Sequence, residues 1–408
     1  MKNTYSEMKD SGVAWIGEIP KYWDVERAKF HFKQSLERGN NTPELLAATQ
    51  KHGMYPQRLL EGVVQVMAGT NLQQFKTVHI NDFVISLRSF QGGFERSSFE
   101  GVCSPAYQVF HADEHYNADW LKFFFKNEMF IDAMNALTVG IREGRNIKYD
   151  DFANALLPIP PISEQTAIAA YLDEKCGTID EIIAEAKASI EEYKMWKSSV
   201  IFEAVTKGLD PNAEMEDSGV DIIGLMPKHW NLCRQRFLCK TTTGDHDTQD
   251  AEPEGAFPFY VRSPIIERSN TYTFDGEGVL MAGDGAGAGR VFHYATGKYA
   301  IHQRVYCFYD FKGILPRFYH YFMENLFCAE MDKGSAKSTV PSVRLSMLKD
   351  FNICLPLLTE QANIITALDE KCAVIDGIIA EKEALIADME AYKKSLIFET
   401  VTGKRKVC

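Results

Sequence analysis

The chain contains two copies of one segment. Residues 164–206 align without a gap with residues 360–402, and 23 of the 43 paired positions are identical. A shorter duplication lies upstream, where the pattern of residues 10–23 returns at residues 217–230. Between the copies the two halves share almost no sequence. Internal repetition predicts a repeated architecture, so we expect two halves, each with a variable unit followed by a shared helix.

Composition excludes several classes of protein. A length of 408 residues, 45% hydrophobic and 25% charged, predicts two or three globular domains. The sequence has no apolar run long enough for a membrane span and no signal peptide at its start. Nine scattered cysteines without a C-x-x-C pair predict free thiols, with neither disulfides nor a metal site. We expect a soluble, cytoplasmic protein.

The net charge of −12 is distributed unevenly. Residues 20–157 hold 15 basic and 16 acidic side chains, and residues 226–355 hold 15 and 14. The acidity therefore belongs to the repeated segments and their flanks, whereas the variable units are balanced. DNA binding needs local clusters of Lys and Arg rather than a positive total, so it remains compatible with this charge.

The repeated segments predict coiled-coil helices. Leu172, Ile179, Ala186, Tyr193 and Val200 recur every seven residues, and Leu368, Ile375, Met389 and Leu396 do the same in the second copy. We assign the other core position to Ile182 and Trp196 in the first copy, and to Ile378, Leu385 and Tyr392 in the second. The two helices are expected to pair with each other, antiparallel and about a pseudo-two-fold axis. The alternative is a coiled coil with another protein.

Each predicted helix has a start signal. Ser163 and Thr359 are expected to be N-caps, because each hydroxyl precedes a glutamate that favours the positive end of a helix. Prolines upstream end the preceding strand. The acidic segment 208–225 is a turn-rich linker, and its counterpart is the start of the chain. This correspondence predicts that the two ends of the chain lie close together.

Both variable units mix strand and helix patterns in the same order. Each has a strand, a glycine-rich loop, a second strand, an aromatic-rich helix and a short closing strand. The strands are predicted at 77–80, 83–87, 107–110 and 156–159, and at 278–281, 304–309 and 351–355. The helices are predicted at 120–134 and 316–331. The fold class is therefore α+β, with two similar α/β domains joined by two long helices that form an antiparallel intramolecular coiled coil.

Motifs for covalent chemistry are absent from the sequence. The glycine run 283–289 lacks the G-x-G-x-x-G spacing of a nucleotide loop, and a tightly bent binding loop is the better interpretation. The tetrapeptide of amino-methyltransferases, a phosphate loop and H-E-x-x-H are also missing. His302 beside Arg304 is interpreted as structural. We expect no catalysis, no metal and no cofactor in this chain.

Polar loops in both units carry side chains suited to DNA. Arg pairs with guanine edges, Asn and Gln pair with adenine, and Lys contacts phosphates. The alternative for any single loop is a solvated surface, but basic loops at matching places in both units favour DNA. The candidate DNA-binding residues are Arg88, Gln91, Arg96, Arg142, Arg145, Asn146 and Lys148 in the first unit, and Arg262, Arg290, Arg304, Lys333, Lys337 and Arg344 in the second.

The repeated openings and the proline-to-helix junctions carry a family resemblance. The openings are Asp10-Ser11-Gly12-Val13 to Pro20 and residues 217–230, and the junctions are residues 157–165 and 355–361. The Leu-Asp-Glu-Lys and Ile-Phe-Glu-x-Val-Thr stretches follow in both copies. Over nearly its whole length the chain resembles the specificity (S) subunit of type I restriction–modification systems.

The resemblance implies a function in which this chain recognises DNA and others act on it. Two target-recognition domains would each read half of a split, asymmetric site, with the helices setting the spacer. Two methyltransferase subunits and two motor-nuclease subunits would be partners and would hold S-adenosylmethionine, ATP and Mg. The implied boundaries are 1–160 and 226–357 for the recognition domains, 161–208 and 358–408 for the helices, and 209–225 for the linker.

The acidic helix surface is the expected docking site for the methyltransferases, at Glu181, Glu185, Glu191 and Glu192. Three alternatives remain open from the residues. The chain could be a stand-alone bipartite DNA-binding protein, a methyltransferase or nuclease in its own right, or a structural coiled-coil adaptor. The missing catalytic motifs weigh against the second, and two elaborate units with glycine loops weigh against the third.

Overall fold

A computed structural model describes residues 4–39, 44–60, 72–137, 147–334 and 341–407. The chain divides into two compact units. Unit 1 comprises Met1–Ala186 and Ala384–Cys408, and unit 2 comprises Lys187–Glu383. Among the described residues, no helix is both long and apolar enough to cross a membrane. The cysteines of the described part are not joined in disulfides.

Unit 1 alternates short strands with short helices before its long helix begins. Its strands are Met8–Asp10 (β1), Glu18–Pro20 (β2), Asp24–Arg27 (β3), Phe32–Ser35 (β4), Leu46–Thr49 (β5), Gly53–Pro56 (β6), Lys76–Val78 (β7), Phe83–Ile85 (β8), Glu95–Arg96 (β9), Gly101–Cys103 (β10), Gln108–Ala112 (β11) and Leu156–Ile159 (β12). Its helices are Ser89–Gly92 (α1), Ala118–Phe124 (α2), Glu128–Leu137 (α3), Tyr149–Ala153 (α4) and the start of Ile162–Lys207 (α5).

Unit 2 follows the same order with an added sheet. Its strands are Met215–Asp217 (β13), Leu225–Pro227 (β14), Asn231–Arg234 (β15), Lys240–Thr243 (β16), Phe257–Tyr260 (β17), Glu267–Ser269 (β18), Phe274–Asp275 (β19), Gly278–Ala282 (β20), Phe292–Ala295 (β21), Lys298–Ile301 (β22), Val305–Tyr309 (β23) and Asn352–Leu355 (β24). Its helices are Pro316–Gly334 (α6), Leu345–Asp350 (α7) and the start of Leu358–Val401 (α8).

Each unit is built around a four-stranded sheet with the same strand order. The order is β4-β11-β8-β9 in unit 1 and β16-β23-β20-β21 in unit 2. The central strands β8 and β20 are buried along their whole length, as short continuous apolar runs predict. The predicted common fold is therefore confirmed. Unit 2 adds the sheet β18-β17-β22-β19, which the sequence did not indicate.

The predicted helix 120–134 is wrong in one respect, because the structure divides it into α2 and α3. The break lies at Asn127, whose side chain accepts a hydrogen bond from the backbone nitrogen of Met129 at 3.0 Å. Asn is a favoured N-cap residue, and it starts a new helix here. The corresponding helix of unit 2, α6, is continuous.

The long helices pair antiparallel inside each unit. In unit 1, Lys393 on α8 bonds Asp180 on α5, and Arg405, which follows the end of α8, bonds Tyr171, so residue numbers rise along α5 as they fall along the partner segment. In unit 2, Lys197 bonds Asp376 at 2.7 Å and the Lys382 ammonium lies over the Tyr193 ring. The predicted antiparallel pairing within one chain is thus confirmed.

The heptad register assigned from the sequence is half wrong. The first core position holds, since Leu172, Ile179 and Ala186 are buried. In the first copy the second core position lies four residues after the first rather than three, at the buried residues Cys176, Ile183 and Ile190. In the second copy Cys372 is buried and Ile386 is half-buried, whereas Leu385 is 41% exposed, and Ile378 and Ile379 are both half-buried. Trp196 is 54% exposed and Tyr392 is 46% exposed. Steps of three and four both occur in a heptad, so the repeat alone did not decide between them.

The predicted N-caps are also wrong. Helices α5 and α8 begin at Ile162 and Leu358, which places Ser163 and Thr359 inside the first turn. The residues that follow do the anchoring instead. Gln165 accepts from the backbone nitrogen of Asn117 and donates to the carbonyls of His115 and Pro160. Gln361 makes the equivalent three bonds in unit 2.

The two ends of the chain meet in unit 1, as the repeat predicts. The Lys404 ammonium donates to the carbonyls of Ile16 and Glu18, the second at 2.7 Å. Gly403 has a positive φ of 72°, and a Cβ there would lie 2.3 Å from Pro20. Both the backbone conformation and the neighbouring proline therefore disfavour any residue with a side chain at this position.

Candidate nucleic-acid interface

Three of the candidate residues of unit 2, Arg262, Arg304 and Arg344, lie at one end of its central sheet. Strand β20 ends and β23 begins at the same edge, where Ala282 lies opposite Val305. The glycine loop 283–289 follows β20, and Arg304 directly precedes β23. The loop is followed by strand β21 rather than a helix, which agrees with its interpretation as a binding loop instead of a nucleotide loop.

Two arginines share one carboxylate at this edge. Arg262 Nη1 donates to Asp284 Oδ1 at 2.9 Å, and Arg304 Nε lies 3.8 Å from Asp284 Oδ2. The Arg304 side chain is 65% exposed, whereas that of Asp284 is 25% exposed. Two cations and one anion leave a net charge of +1 in the cluster. The carboxylate limits the orientations of both guanidinium groups while leaving donors open to solvent.

Backbone hydrogen bonds join a third segment to the same edge. Gly283 donates to the Arg304 carbonyl and accepts from the Val343 nitrogen, both at 2.8 Å. The next residue, Arg344, is exposed and holds the N-cap position of α7. The structure therefore brings together Arg262, Arg304 and Arg344, which are separated by up to 82 positions in the sequence.

Glycines make this convergence possible. A Cβ on Gly287 would lie 2.6 Å from the Arg262 carbonyl oxygen, and one on Gly289 would lie 2.7 Å from Met331 Cγ. Gly289 also has a positive φ of 66°. Close approach to the Arg262 backbone and to the Met331 side chain, together with the positive φ of Gly289, explains why glycine occupies these two positions.

In unit 1, the candidate residues Arg88 and Gln91 lie at the end of the four-stranded sheet that corresponds to the site in unit 2. Ile85 at the end of β8 lies opposite Gln108 at the start of β11. Arg88 and Gln91 follow β8 on and beside the short helix α1, and both are exposed. The Lys126 ammonium fixes the end of that helix by donating to the Gly92 carbonyl at 2.8 Å and to Glu95 at 2.5 Å.

Lys148 is held at the same edge by a glutamine. Gln108 Nε2 donates to the Ile147 carbonyl at 3.0 Å, and Gln108 Oε1 accepts from the Tyr149 nitrogen at 2.8 Å. These bonds fix the peptides on both sides of Lys148, which is exposed at the N-cap position of α4. Arg344 occupies the same place before α7, so both units present a cation there.

Unlike the exposed Arg88 and Gln91, Arg96 has a guanidinium group that is already bonded within the protein. Its guanidinium donates to Asn81 Oδ1 at 2.6 and 3.1 Å and to Asp119 Oδ1 at 2.5 Å, and its side chain is only 20% exposed. A contact with a base would require these bonds to break. Arg96 braces the turn after β7 against helix α2.

The remaining candidates are less fully placed. Arg290 is exposed, one residue after the glycine loop. Lys333 lies in α6, with its side chain outside the described part. Four candidates lie outside the described residues altogether: Arg142, Arg145, Asn146 and Lys337.

His302 is a structural residue in this arrangement. Its side chain is 3% exposed, and its Nδ1 accepts from the Arg304 nitrogen at 2.9 Å. Burial lowers the pKa of His302, so the neutral ring that accepts this bond is favoured near neutral pH. The histidine shapes the turn that carries Arg304.

The candidate partner-binding glutamates are all on the solvent side of α5. Glu181 and Glu185 lie in unit 1, and Glu191 and Glu192 lie in unit 2. Glu191 pairs with Lys194 at 2.8 Å. The sequence analysis missed the exposed aromatics Trp196 and Tyr392, which occupy the same place in the two repeat copies. If the second core position is placed four residues after the first, at Ile183 and Ile190, then Trp196 and Tyr392 fall outside the helix seam. This register would have predicted that both aromatics are exposed.

Comparisons with known proteins agree with the architecture. Residues 227–386 match the family described as Type I restriction modification DNA specificity domain. The Type I restriction enzyme EcoDI specificity subunit of Escherichia coli is 24% identical over 181 residues. That match covers 44% of this chain and 40% of the relative, less than half of either.

Solved structures extend the similarity in fold to nearly the whole chain. A chain from a structure on complex assembly and conformational transition of the type I R-M system has a TM-score of 0.69 at 14% identity, covering 94% of this chain and 98% of that one. The HsdS subunit from Thermoanaerobacter tengcongensis has a TM-score of 0.51 at 14% identity, with the same coverage.

Proposed function

We propose that this chain is the non-catalytic DNA-recognition subunit of a type I restriction–modification complex. The observation that carries the proposal is the convergence of exposed cations at the same end of the same sheet in both units. Arg88 and Lys148 lie there in unit 1, and Arg304 and Arg344 lie there in unit 2. A split DNA site read by two related domains needs this repetition.

In unit 2 the chemistry fits reading of bases in a groove. Arg304 is the most exposed member of the Arg262–Asp284–Arg304 cluster, and its fixed fork can donate two bonds to guanine. Arg344 lies on a separate segment at the cluster's edge and is placed for a phosphate. Arg262, which is closer to Asp284, orients the carboxylate.

In unit 1, Gln91 and Arg88 are the proposed base readers and Lys148 the phosphate contact. Gln can accept and donate to adenine at once, and Lys offers an ammonium without a preferred base. Arg96 is proposed as a brace that supports this loop, because its donors are already engaged. The unplaced candidates Arg142, Arg145 and Asn146 precede Lys148 in sequence and extend the same basic segment.

The long helices are proposed to set the spacer between half-sites and to hold the catalytic partners. Both α5 and α8 continue without interruption from one unit into the other. Two methyltransferase subunits would dock on the acidic residues Glu181, Glu185, Glu191 and Glu192, with Trp196 and Tyr392 as apolar anchors. S-adenosylmethionine, ATP and Mg would be bound by the methyltransferase and motor-nuclease subunits. The recognition domains would be residues 1–160 and 226–357.

The proposal is tested by mapping methylated adenines in genomic DNA from cells with and without this chain. The expected result is a bipartite motif that is methylated only when the chain is present. A methylation pattern unchanged by loss of the chain would contradict the proposal. Binding of S-adenosylmethionine by the isolated chain would instead favour a methyltransferase.

A further inference from the structure

Unit 1 contains a cluster of two histidines and a carboxylate that the recognition of DNA does not use. His31 follows the 3-10 turn Ala28–Phe30, and Asp113 and His115 follow strand β11. One ligand atom from each residue lies within 4.8 Å of the others. His31 Nδ1 is 3.0 Å and His115 Nδ1 is 3.1 Å from the same oxygen, Asp113 Oδ2.

Both ring nitrogens of His31 lie within hydrogen-bonding distance of carboxylate oxygens. The second ring nitrogen, Nε2, lies 3.1 Å from Glu26 Oε2, so both nitrogens face carboxylate oxygens. A protonated imidazole can donate to both of them, whereas a neutral imidazole has one N–H and can donate to only one. A metal ion at Nδ1 would satisfy that side and leave the Nε2 hydrogen for Glu26. This is the carboxylate–histidine–metal arrangement in which an outer carboxylate orients a liganding ring.

The spacing of the ligand atoms also fits a small divalent ion. Bonds of about 2.0–2.1 Å in a tetrahedral site separate neighbouring ligand atoms by about 3.3 Å. The separations of 3.0 and 3.1 Å from Asp113 Oδ2 are close to this value, and the three ligand atoms all lie within 4.8 Å of one another, so movement of the exposed His115 side chain can close the site. His31 is 9% exposed and Asp113 is 31% exposed, so two ligands are held by the fold and one can adjust.

Unit 2 shows that the fold itself does not require this cluster. The Asp113 nitrogen donates to the His31 carbonyl, and the equivalent bond in unit 2 ends on the Leu238 carbonyl. The Gln165 amide donates to the His115 carbonyl, and the equivalent Gln361 amide donates to that of Gly313. Leu238 and Gly313 thus replace the two histidines while the backbone bonds are kept. The Asp113 side chain does hold backbone, since its Oδ1 accepts from the His115 nitrogen at 3.0 Å, but the backbone bonds that the two units share require neither imidazole.

We propose that His31, Asp113 and His115 bind a divalent transition metal, with Zn²⁺ as the best fit, and that Glu26 supports His31 from outside. Two imidazoles and a carboxylate are preferred zinc ligands, and a fourth position remains for water. The ion would join the start of β4 to the turn after β11. Because the His115 carbonyl accepts from Gln165, it would also steady the start of α5.

The test uses the full chain with any affinity tag removed and its metals stripped by a chelator. Zn²⁺ is titrated calorimetrically, and Co²⁺ is followed by its visible absorption, which reports the coordination geometry. We expect one ion per chain at micromolar or lower concentration and a thermal transition raised by Zn²⁺. His31→Leu and His115→Gly, which copy the residues of unit 2, are expected to remove this uptake.

His79→Asn is the matched control. His79 also faces two carboxylates, those of Glu37 and Glu100, but it is 49% exposed and no second histidine joins it. The control is expected to bind one ion as the wild type does. Because His115 is 55% exposed, its variant keeps the test informative even if His31→Leu fails to fold. No uptake by the wild type, or equal uptake by wild type and both cluster variants, would overturn the proposal.

Discussion

The indole nitrogen of Trp230 donates a hydrogen bond of 2.9 Å to the Glu360 carboxylate. Trp23 makes the same bond, also 2.9 Å, to Glu164 in unit 1. Each tryptophan belongs to a repeated opening and each glutamate to a repeated helix start. The two duplicated segments therefore bond each other, and each unit contains one complete pair.

The two pairs predict unequal costs for the same change. Glu164 is 4% exposed and also accepts from the hydroxyls of Tyr5 and Tyr22, whereas the Glu360 side chain is 28% exposed and near His229. Removing a donor from a buried carboxylate costs about 1–3 kcal/mol. Trp23→Phe should therefore lower the free energy of unfolding more than Trp230→Phe, as measured by urea titration. Equal losses would contradict the role given to burial.

The heptad register seen in the structure can be tested by substituting two adjacent isoleucines, Ile182 and Ile183. Ile183 is 8% exposed and Ile182 is 37% exposed. Truncation of a buried isoleucine costs about 2–5 kcal/mol, whereas a surface change usually stays within about 0.5 kcal/mol. Ile183→Ala should therefore lower the denaturation midpoint strongly and Ile182→Ala only slightly. The reverse order would restore the register assigned from the sequence.

A buried histidine in unit 2 predicts a dependence of stability on pH. Burial lowers the pKa of His320 to about 4, and both of its ring nitrogens lack a hydrogen-bond partner. The unfolded chain takes up this proton near pH 6.5, so it binds more protons than the folded chain between those values. Stability should fall as the pH decreases from about 6.5 to about 4. Urea titrations of His320→Gln should show a shallower fall, and an unchanged slope would assign the effect to other groups.

The Asp284 carboxylate is predicted to restrain DNA binding. Asp284→Asn would remove one negative charge between Arg262 and Arg304 and leave both guanidinium groups less oriented. Affinity for unrelated DNA should rise, and its salt dependence should steepen by about one unit of slope per added phosphate contact. Preference for the correct site should fall. Asp310→Asn, which removes one negative charge from a surface pair with Lys240, serves as a charge control.

The sequence predicted most of the fold because the repeat itself carries the information. Strands such as β8 and β20 are short apolar runs between turn residues, and both long helices follow a regular period. The register of the helix pair was not decided, because Ile182 and Ile183 are chemically equal and only the partner helix distinguishes them. The added sheet of unit 2 was missed because its strands are short and mixed in polarity.

Placement of the site depended on contacts distant in sequence. Local composition identified Arg88, Arg304 and Arg344, yet it gave no sign that Arg96 would bond Asp119 or that Asp284 would bond Arg262. The same holds for the proposed metal site at His31, Asp113 and His115, because the sequence predicted no metal site. His31 and Asp113 are 82 positions apart, and no ligand-spacing pattern connects them.

The most direct measurement maps methylated adenines in cells that carry variants of one unit at a time. Arg304→Ala with Arg344→Ala should alter or abolish recognition of one half of the bipartite motif and leave the other half and the spacer unchanged. Arg88→Ala with Lys148→Ala should do the same to the opposite half. If both variants left the motif intact, or if each altered both halves alike, the assignment of one half-site to each sheet end would be contradicted.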